Sequence, residues 1–101
     1  MDPVPVDAYV LDTLMPDLVG HDRQPSAFLV YLFLWRHSRA PEPTDVQVSL
    51  QELAAGTGLS KRAVQEALGR LVKRRLVDVS RPGITAVPVY TVHRPWDRRR
   101  G

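Results

Sequence analysis

The sequence of 101 residues contains no cysteine, and its longest run of apolar residues is short. Without cysteine the protein can form no disulfide bond, no thiolate nucleophile and no zinc site that uses cysteine ligands. The longest apolar run, Ala27 to Trp35, has nine residues, whereas a helix that crosses a membrane needs about twenty. The first five residues, MDPVP, place no basic group ahead of an apolar stretch, so we expect no signal peptide. These absences favour a cytoplasmic protein.

The motifs of catalysis and metal binding are also missing. The histidines His21, His37 and His93 are too far apart in sequence for the HxH or HxxxH spacing of metal ligands. No glycine-rich phosphate-binding loop occurs, and no nucleophile can be matched with a base. The sequence therefore predicts a protein that is not an enzyme, with no metal and no cofactor.

The composition is that of one folded domain. Hydrophobic residues make up 44% of the chain, and two Trp, three Tyr and two Phe supply large side chains for a core. We predict a single domain over residues 1–92, followed by a basic C-terminal tail over residues 93–101. Within the tail, Trp96 is able to pack back on the domain.

The charges are unevenly distributed along the chain. Residues 1–60 hold three arginines and eight acidic residues, a net charge of −5. Residues 61–101 hold eleven basic and three acidic residues, a net charge of +8. Such asymmetry within one domain indicates a polyanionic partner for the basic half, with a solvated surface as the alternative.

Apolar spacing predicts two helices in the first 40 residues. The first covers about Asp7 to Met15 and ends at Pro16, because proline stops or kinks a helix; a loop follows over Val19–Gln24. The second begins at Pro25 and runs to about Arg39. Because it is apolar on every side, we expect it to be the central core helix. Residues 40–44 have the composition of a loop.

The middle of the chain carries local signals for two helices joined by a tight turn. After a short strand over Asp45–Val48, the residues Ser49-Leu50-Gln51-Glu52 form a capping box at the start of a short helix. Gly58 supplies the positive φ that the turn needs. Ser60 caps the next helix, which extends to about Arg75.

A two-stranded hairpin is predicted after this helix. Leu76–Ser80 alternates like a strand, and Ala86–Val92 supplies the returning strand. Arg81-Pro82-Gly83-Ile84 has Pro and Gly at the central positions of a type II turn. Pro88 indicates that the returning strand lies at a sheet edge or carries a bulge.

The stretches Leu53-Ala54-Ala55-Gly56-Thr57-Gly58-Leu59-Ser60 and Leu68–Val77 resemble the helix-turn-helix of bacterial winged-helix regulators of the MarR and GntR types. They are also similar to the winged-helix domains of plasmid replication initiators and primosomal proteins. About half the chain carries the resemblance. It departs from the pattern where Arg74 or Arg75 replaces the usual glycine at the end of the second helix. The resemblance implies an α+β, mostly α fold: a winged helix-turn-helix with a three-helix core, an extra N-terminal helix and a small antiparallel β-wing.

A helical wheel divides the predicted recognition helix, residues 60–75, into two faces. The inward face carries Ser60, Val64, Leu68, Leu71 and Arg75. The resemblance places the opposite face against DNA, where the N-terminal residues Lys61, Arg62 and Gln65 are best placed for base edges. With a phosphate contact at the helix start and a wing-tip arginine, the predicted DNA-binding residues are Ser60, Lys61, Arg62, Gln65, Glu66, Gly69, Arg70, Lys73 and Arg81. For each, the alternative is a solvated surface side chain; the tail arginines Arg94, Arg98, Arg99 and Arg100 could add phosphate contacts.

The predicted function is sequence-specific binding of double-stranded DNA by a small bacterial transcription regulator associated with the nucleoid. The recognition helix enters the major groove, and the wing, about residues 77–92, contacts the flanking backbone or minor groove. One alternative is the DNA-binding module of a plasmid or phage replication initiator or partition protein. Another is a winged helix that binds proteins and no DNA. A homodimer would use N-terminal apolar residues, which otherwise pack on the chain's own core: Val6, Val10, Leu11, Leu14 and Leu18.

Overall fold

The computed structural model describes residues 2–38, 45–83 and 86–97. Its elements are two π-helical segments (Val10–Leu14 and Pro16–His21), helix α1 (Pro25–His37), strand β1 (Asp45–Gln47), helices α2 (Leu50–Thr57) and α3 (Lys61–Lys73), and strands β2 (Val77–Ser80) and β3 (Val89–Val92). This order and the small antiparallel sheet confirm an α+β winged helix. In the described ranges, no helix is long and apolar enough to cross a membrane.

The N-terminal helical region continues past Pro16, so the predicted helix end at Met15 is wrong. Pro16 is the first residue of the second π-helical segment, a position where the missing N–H of proline removes no helical hydrogen bond. On either side of it the backbone bonds with π spacing: the Met15 N–H donates to the Val10 carbonyl oxygen, and the Asp22 N–H donates to Asp17. The predicted loop over Val19–Gln24 therefore begins only after His21.

Helix α1 is the central helix, as predicted, and Pro25 occupies its first turn. Although the helix is apolar on every side, the protein does not enclose every side of it, because Leu29 is 44% exposed. A domain this small cannot surround all faces of one helix. Arg39 and the predicted loop over residues 40–44 lie outside the described residues. The residues of α1 buried in the core are Ala27, Phe28, Val30, Tyr31, Leu34 and Trp35.

Local hydrogen bonds fix the turn between α2 and α3 as the sequence predicts. The Glu52 N–H donates to Ser49 Oγ over 3.0 Å, and the Ser49 N–H donates to Glu52 Oε1 over 3.3 Å, which completes the capping box. Gly58 has φ +78° and ends α2. Ser60 Oγ accepts the Ala63 N–H over 3.0 Å and caps α3. These contacts set the direction in which α3 leaves the turn.

Arg75 takes the left-handed backbone conformation that glycine usually supplies at the end of a helix. Its φ is +60°. The Leu76 N–H donates to the Leu71 carbonyl oxygen and the Arg75 N–H donates to Val72, which is the Schellman pattern. The glycine missing from the sequence pattern therefore leaves the helix end intact, at the cost of a strained arginine.

Arg75→Gly is expected to stabilise the protein by about 1 kcal/mol, because glycine adopts positive φ without the clash of a Cβ atom. Thermal and urea unfolding of the two proteins measure the difference. An Arg75→Ala variant serves as the control and should gain nothing, since alanine keeps the Cβ. A less stable glycine variant would contradict the assignment of Arg75 to a strained cap.

Strand β3 lies in the centre of the sheet, whose order is β1-β3-β2 with antiparallel pairs. Tyr90 pairs with Val46 of β1 on one side and with Val79 of β2 on the other. The prediction of an edge strand from Pro88 is wrong. Pro88 precedes the strand, so its missing N–H interrupts neither ladder, and its carbonyl oxygen accepts the Val48 N–H over 3.3 Å.

Strand β2 ends at Ser80 and β3 begins at Val89, so the two strands are further apart in sequence than a four-residue turn requires. The φ of Gly83 lies outside the left-handed region, so the type II turn predicted at Arg81-Pro82-Gly83-Ile84 is wrong. A longer connection does not require the positive φ of a tight turn. The Ala86 N–H instead donates to the Gly83 carbonyl oxygen over 3.3 Å; residues 84 and 85 lie outside the described part.

Residues 93–97 pack against the N-terminal part of the chain. The Trp96 ring stacks on Tyr9 with 4.6 Å between centroids, and its Nε1 donates to Asp7 Oδ2 over 3.0 Å. Trp35 Nε1 donates to the Pro5 carbonyl oxygen over 2.9 Å and so anchors the lead-in residues to α1. Residues near both ends of the described chain therefore meet at one aromatic cluster, formed by Tyr9, Trp35 and Trp96. The division into a domain of residues 1–92 and a tail of 93–101 stays a prediction.

Candidate nucleic-acid interface

Helix α3 presents one apolar and one polar face. Val64, Ala67 and Leu71 are buried in the core, and α3 packs against α1 and α2. Ser60 and Arg75, predicted on the inward face, are exposed because they lie beyond the two ends of the helix. The polar face carries exposed Arg62, Gln65, Glu66, Gly69 and Lys73, which lie within about 100° of one another around the helix axis. Lys61 is also exposed, at the first position of α3. Five predicted site residues therefore share one solvent-facing surface.

The N-terminal end of α3 has a capped backbone at Ser60 and an exposed charged pair, Arg62 and Glu66. Ser60 Oγ accepts the Ala63 N–H, which fixes the helix start. This bond uses an acceptor lone pair and leaves the O–H as a donor for a phosphate, so the predicted contact stays a prediction. The Arg62 Nε lies 3.2 Å from Glu66 Oε1, with 88% and 61% of the two side chains exposed. An exposed pair four residues apart contributes less than about 1 kcal/mol. Arg62 can therefore exchange Glu66 for another acceptor at little cost.

Arg70 is only partly available to a partner. Its Nε donates to Gln24 Oε1 over 3.2 Å and lies 3.9 Å from Asp22 Oδ2. Both acceptors belong to the junction between the second π-helical segment and α1. Among the predicted site residues on α3, Arg70 thus turns toward the N-terminal part of the chain.

Sequence reasoning missed an ion pair that connects this junction to the end of α3. Arg74 Nε and Nη2 donate to the two carboxylate oxygens of Asp22 over 2.6 and 2.7 Å. The Asp22 side chain is only 6% exposed. The hydrogen bonds from Arg74 lower the pKa of the Asp22 carboxyl below its usual value, against the opposing effect of burial. The pair is separated by 52 residues, so no local pattern signals it.

Asp22→Asn is expected to destabilise the protein by about 1.5–3 kcal/mol at pH 7, because Arg74 loses its charged acceptor. Since the folded state lowers the pKa of Asp22, the ionised carboxylate stabilises the fold above the unfolded pKa of about 3.9. That contribution is lost as the pH falls through the folded pKa, so the difference from wild type should narrow below pH about 4.

Urea unfolding at pH 7 and at pH 3 measures both effects. Asp17→Asn is the matched control, because the Asp17 side chain is 45% exposed and its contact with Arg74 is long, 4.0 Å. It should change the free energy of unfolding by less than about 1 kcal/mol. Equal losses of unfolding free energy in the two variants would show that the Asp22–Arg74 pair stabilises the fold no more than the exposed Asp17–Arg74 contact does.

The wing side of α3 forms an apolar cleft. Arg81 is exposed just after β2; its contact with DNA stays a prediction. Between α3 and the wing lies a cleft of about 770 Å³ that Arg81 and Gln65 help to line. Three of its apolar lining residues, Val72, Val79 and Val87, are each about 40% exposed. The polar face of α3 is therefore bordered on the wing side by apolar surface.

Other predicted contact residues lie elsewhere. The Arg94 guanidinium stacks over the Trp35 ring at 4.0 Å, so this arginine is engaged within the fold; its phosphate contact stays a prediction. Arg98, Arg99 and Arg100 lie outside the described residues. Across residues 2–38, 45–83 and 86–97, no group of three or more histidine or carboxylate side chains could hold a metal ion.

Three of the predicted dimer contacts are part of the protein's own core. Val10, Leu14 and Leu18 are at most 4% exposed, so they are unavailable to a second chain. This matches the alternative in which the segment packs on its own core. Val6 and Leu11 stay exposed.

Comparison with known families agrees with this geometry. The family description "Helix-turn-helix domain" matches residues 24–77, more than half of the chain. The chain belongs to this family. The match begins at the turn before α1 and ends at the first residue of β2. The helix-turn-helix family supports DNA binding. Searches of curated proteins and of solved structures give no significant match.

Proposed function

We propose that this helix-turn-helix protein is a non-enzymatic, sequence-specific binder of double-stranded DNA that regulates transcription. One observation carries the proposal: α3 is held by its apolar face against the core and presents a row of polar and basic residues outward from its capped N-terminus. A helix presented in this way fits the major groove of B-DNA.

The residues closest to the N-terminus of α3 are proposed to contact bases. In helix-turn-helix complexes, the first turns of the recognition helix approach the base edges most closely. Arg62 and Gln65 have the side chains that pair with guanine and adenine. Lys61 is the third residue of this group. Lys73 and Arg81 are proposed to contact phosphates, and Glu66 holds Arg62 until a base replaces it. Gly69 leaves open space above the helix, since nothing lies within 4 Å of a Cβ built there.

Arg62→Ala is expected to weaken binding to the selected duplex by about 5- to 150-fold and to relax specificity at one base position, since a bidentate contact contributes about 1–3 kcal/mol. The duplex is first obtained by selection from a random pool. Binding is then titrated over a range of salt concentrations, where log affinity should fall with a slope of about −0.9 for each phosphate contact.

Arg36→Ala removes the same charge from the exposed surface of α1 and serves as the matched control. It should lower affinity much less and leave the selected sequence unchanged. No duplex binding at low salt would contradict DNA binding itself. Equal effects of Arg62→Ala and Arg36→Ala would contradict base contact by Arg62.

We also propose a two-fold dimer that reads a palindromic site, because one winged helix covers little DNA. The exposed apolar residues of the N-terminal segment include Leu11, Met15 and Val19, which are spaced by four residues and share one helical face. Leu11→Lys is expected to shift the protein toward monomer in light scattering against concentration. A wild-type protein that is monomeric at high micromolar concentration would contradict the dimer.

The apolar cleft beside the wing favours a second function, the binding of a protein partner without DNA. Val72, Val79 and Val87 form an exposed apolar surface there. A charged phosphate backbone gains little from contact with such a surface, whereas a protein partner can bury it. This function predicts that the salt titration detects no duplex binding. A role in plasmid or phage replication or partition uses the same DNA contacts as a regulator. The position of the selected sequence, in a promoter or an origin, separates those two roles.

A further inference from the structure

A second cleft lies on the side of α3 away from the wing. It has a volume of about 440 Å³ and lies between the turn at residues 22–24 and the outer face of α3. From α3 it is lined by Glu66, Gly69, Arg70 and Lys73, and from the turn by Asp22, Arg23 and Gln24. Gly69 borders both this cleft and the apolar cleft beside the wing. The cleft therefore adjoins the surface proposed to face DNA.

The cleft is positively charged because its acidic residues are neutralised by other cations. Both carboxylate oxygens of Asp22 accept hydrogen bonds from Arg74, which does not line the cleft. Glu66 is paired with Arg62, which lies outside the cleft as well. Arg70 is partly engaged, because its Nε donates to Gln24 Oε1 and lies 3.9 Å from Asp22 Oδ2. Around the opening, Arg23 and Lys73 are the cations without an internal partner among the described residues, and Arg70 adds a third, partly engaged charge.

Arg23 is held in this position by its backbone. Its φ is +53°, a left-handed conformation that is strained for arginine. The turn is closed on both sides of it, since the Asp22 N–H donates to the Asp17 carbonyl oxygen and the Gln24 N–H donates to Leu18, each over 2.8 Å. In the part of the chain that the structure describes, the Arg23 and Lys73 side chains have no ion pair or hydrogen bond. Both are free to take an anionic partner.

We propose that Arg23, with Arg70 and Lys73, forms a phosphate-binding cleft for the DNA backbone that flanks the major groove occupied by α3. The inference rests on the proposed function, because the phosphate belongs to the duplex that α3 reads. The N-terminal junction thereby holds the DNA on one side of α3 while the wing holds it on the other. Guanidinium and ammonium groups supply the charge-assisted hydrogen bonds that phosphate oxygens accept.

The test is Arg23→Gly, a variant that removes the guanidinium and fits the left-handed backbone. It should unfold at the same or a higher temperature than wild type, because glycine adopts positive φ freely. Affinity for the selected duplex should fall about three- to tenfold near 0.1 M salt, and the slope of log affinity against log salt should decrease in magnitude by about one. The loss should be the same for selected and scrambled duplexes, since a phosphate contact carries no sequence information.

Arg75→Gly is the matched control, because it removes the same charge from the other non-glycine residue with positive φ in the described chain. Arg75 lines neither cleft, so this variant should lose less affinity and keep the wild-type salt slope. Equal losses in the two variants would overturn the proposal in favour of a net-charge effect. Unchanged affinity in Arg23→Gly would also overturn it, even if inorganic phosphate binds to the cleft. A wild-type protein that binds no duplex would remove the proposed function and this inference with it.

Discussion

The burial of one face of α3 against α1 is the constraint on which the rest of the structure depends. Val64, Ala67 and Leu71 are fully buried in the core, so the rotation of α3 about its own axis is fixed. Once that rotation is fixed, the residues on the opposite face must point to solvent. The sheet then closes the core from the other side, with Val77 of β2 and Tyr90 of β3 buried. Packing therefore determines which positions of α3 face outward, and the sequence determines which polar and basic side chains occupy those positions.

Local signals predicted the parts of the fold that are determined by neighbouring residues. The capping box at Ser49, the positive φ of Gly58 and the cap at Ser60 each depend on hydrogen bonds across three or four residues. Such bonds can form wherever the same short sequence occurs. These signals mark where α2 ends and where α3 begins. The residues of α3 that face outward, from Lys61 to Lys73, could therefore also be predicted.

Features that depend on distant residues could not be predicted in this way. Pro16 and Pro88 were both expected to break regular structure, yet each lies at the first position of an element or just before it, where no hydrogen bond is lost. Gly56 lies in the last turn of α2, where the Phe33 ring of α1 takes the space that a Cβ would need. The Asp22 partner of Arg74 is equally invisible in a local pattern. In each case, the position of a residue in the assembled fold decides its role.

The same long-range contacts change the meaning of the charge distribution along the chain. Arg74 is neutralised by Asp22 and Arg94 stacks on Trp35, so these two cations of the basic half are engaged within the protein. Arg70 is partly engaged by Gln24 and Asp22 and still lines the cleft. Conversely, one cation of the acidic half joins the basic surface, because Arg23 lines the same cleft as Lys73. A surface contact is determined by which charges lack an internal partner, and a net charge of +8 does not reveal that. The basic surface is consequently narrower than the sequence indicates, and because Arg23 contributes to it, it is built from both halves of the chain.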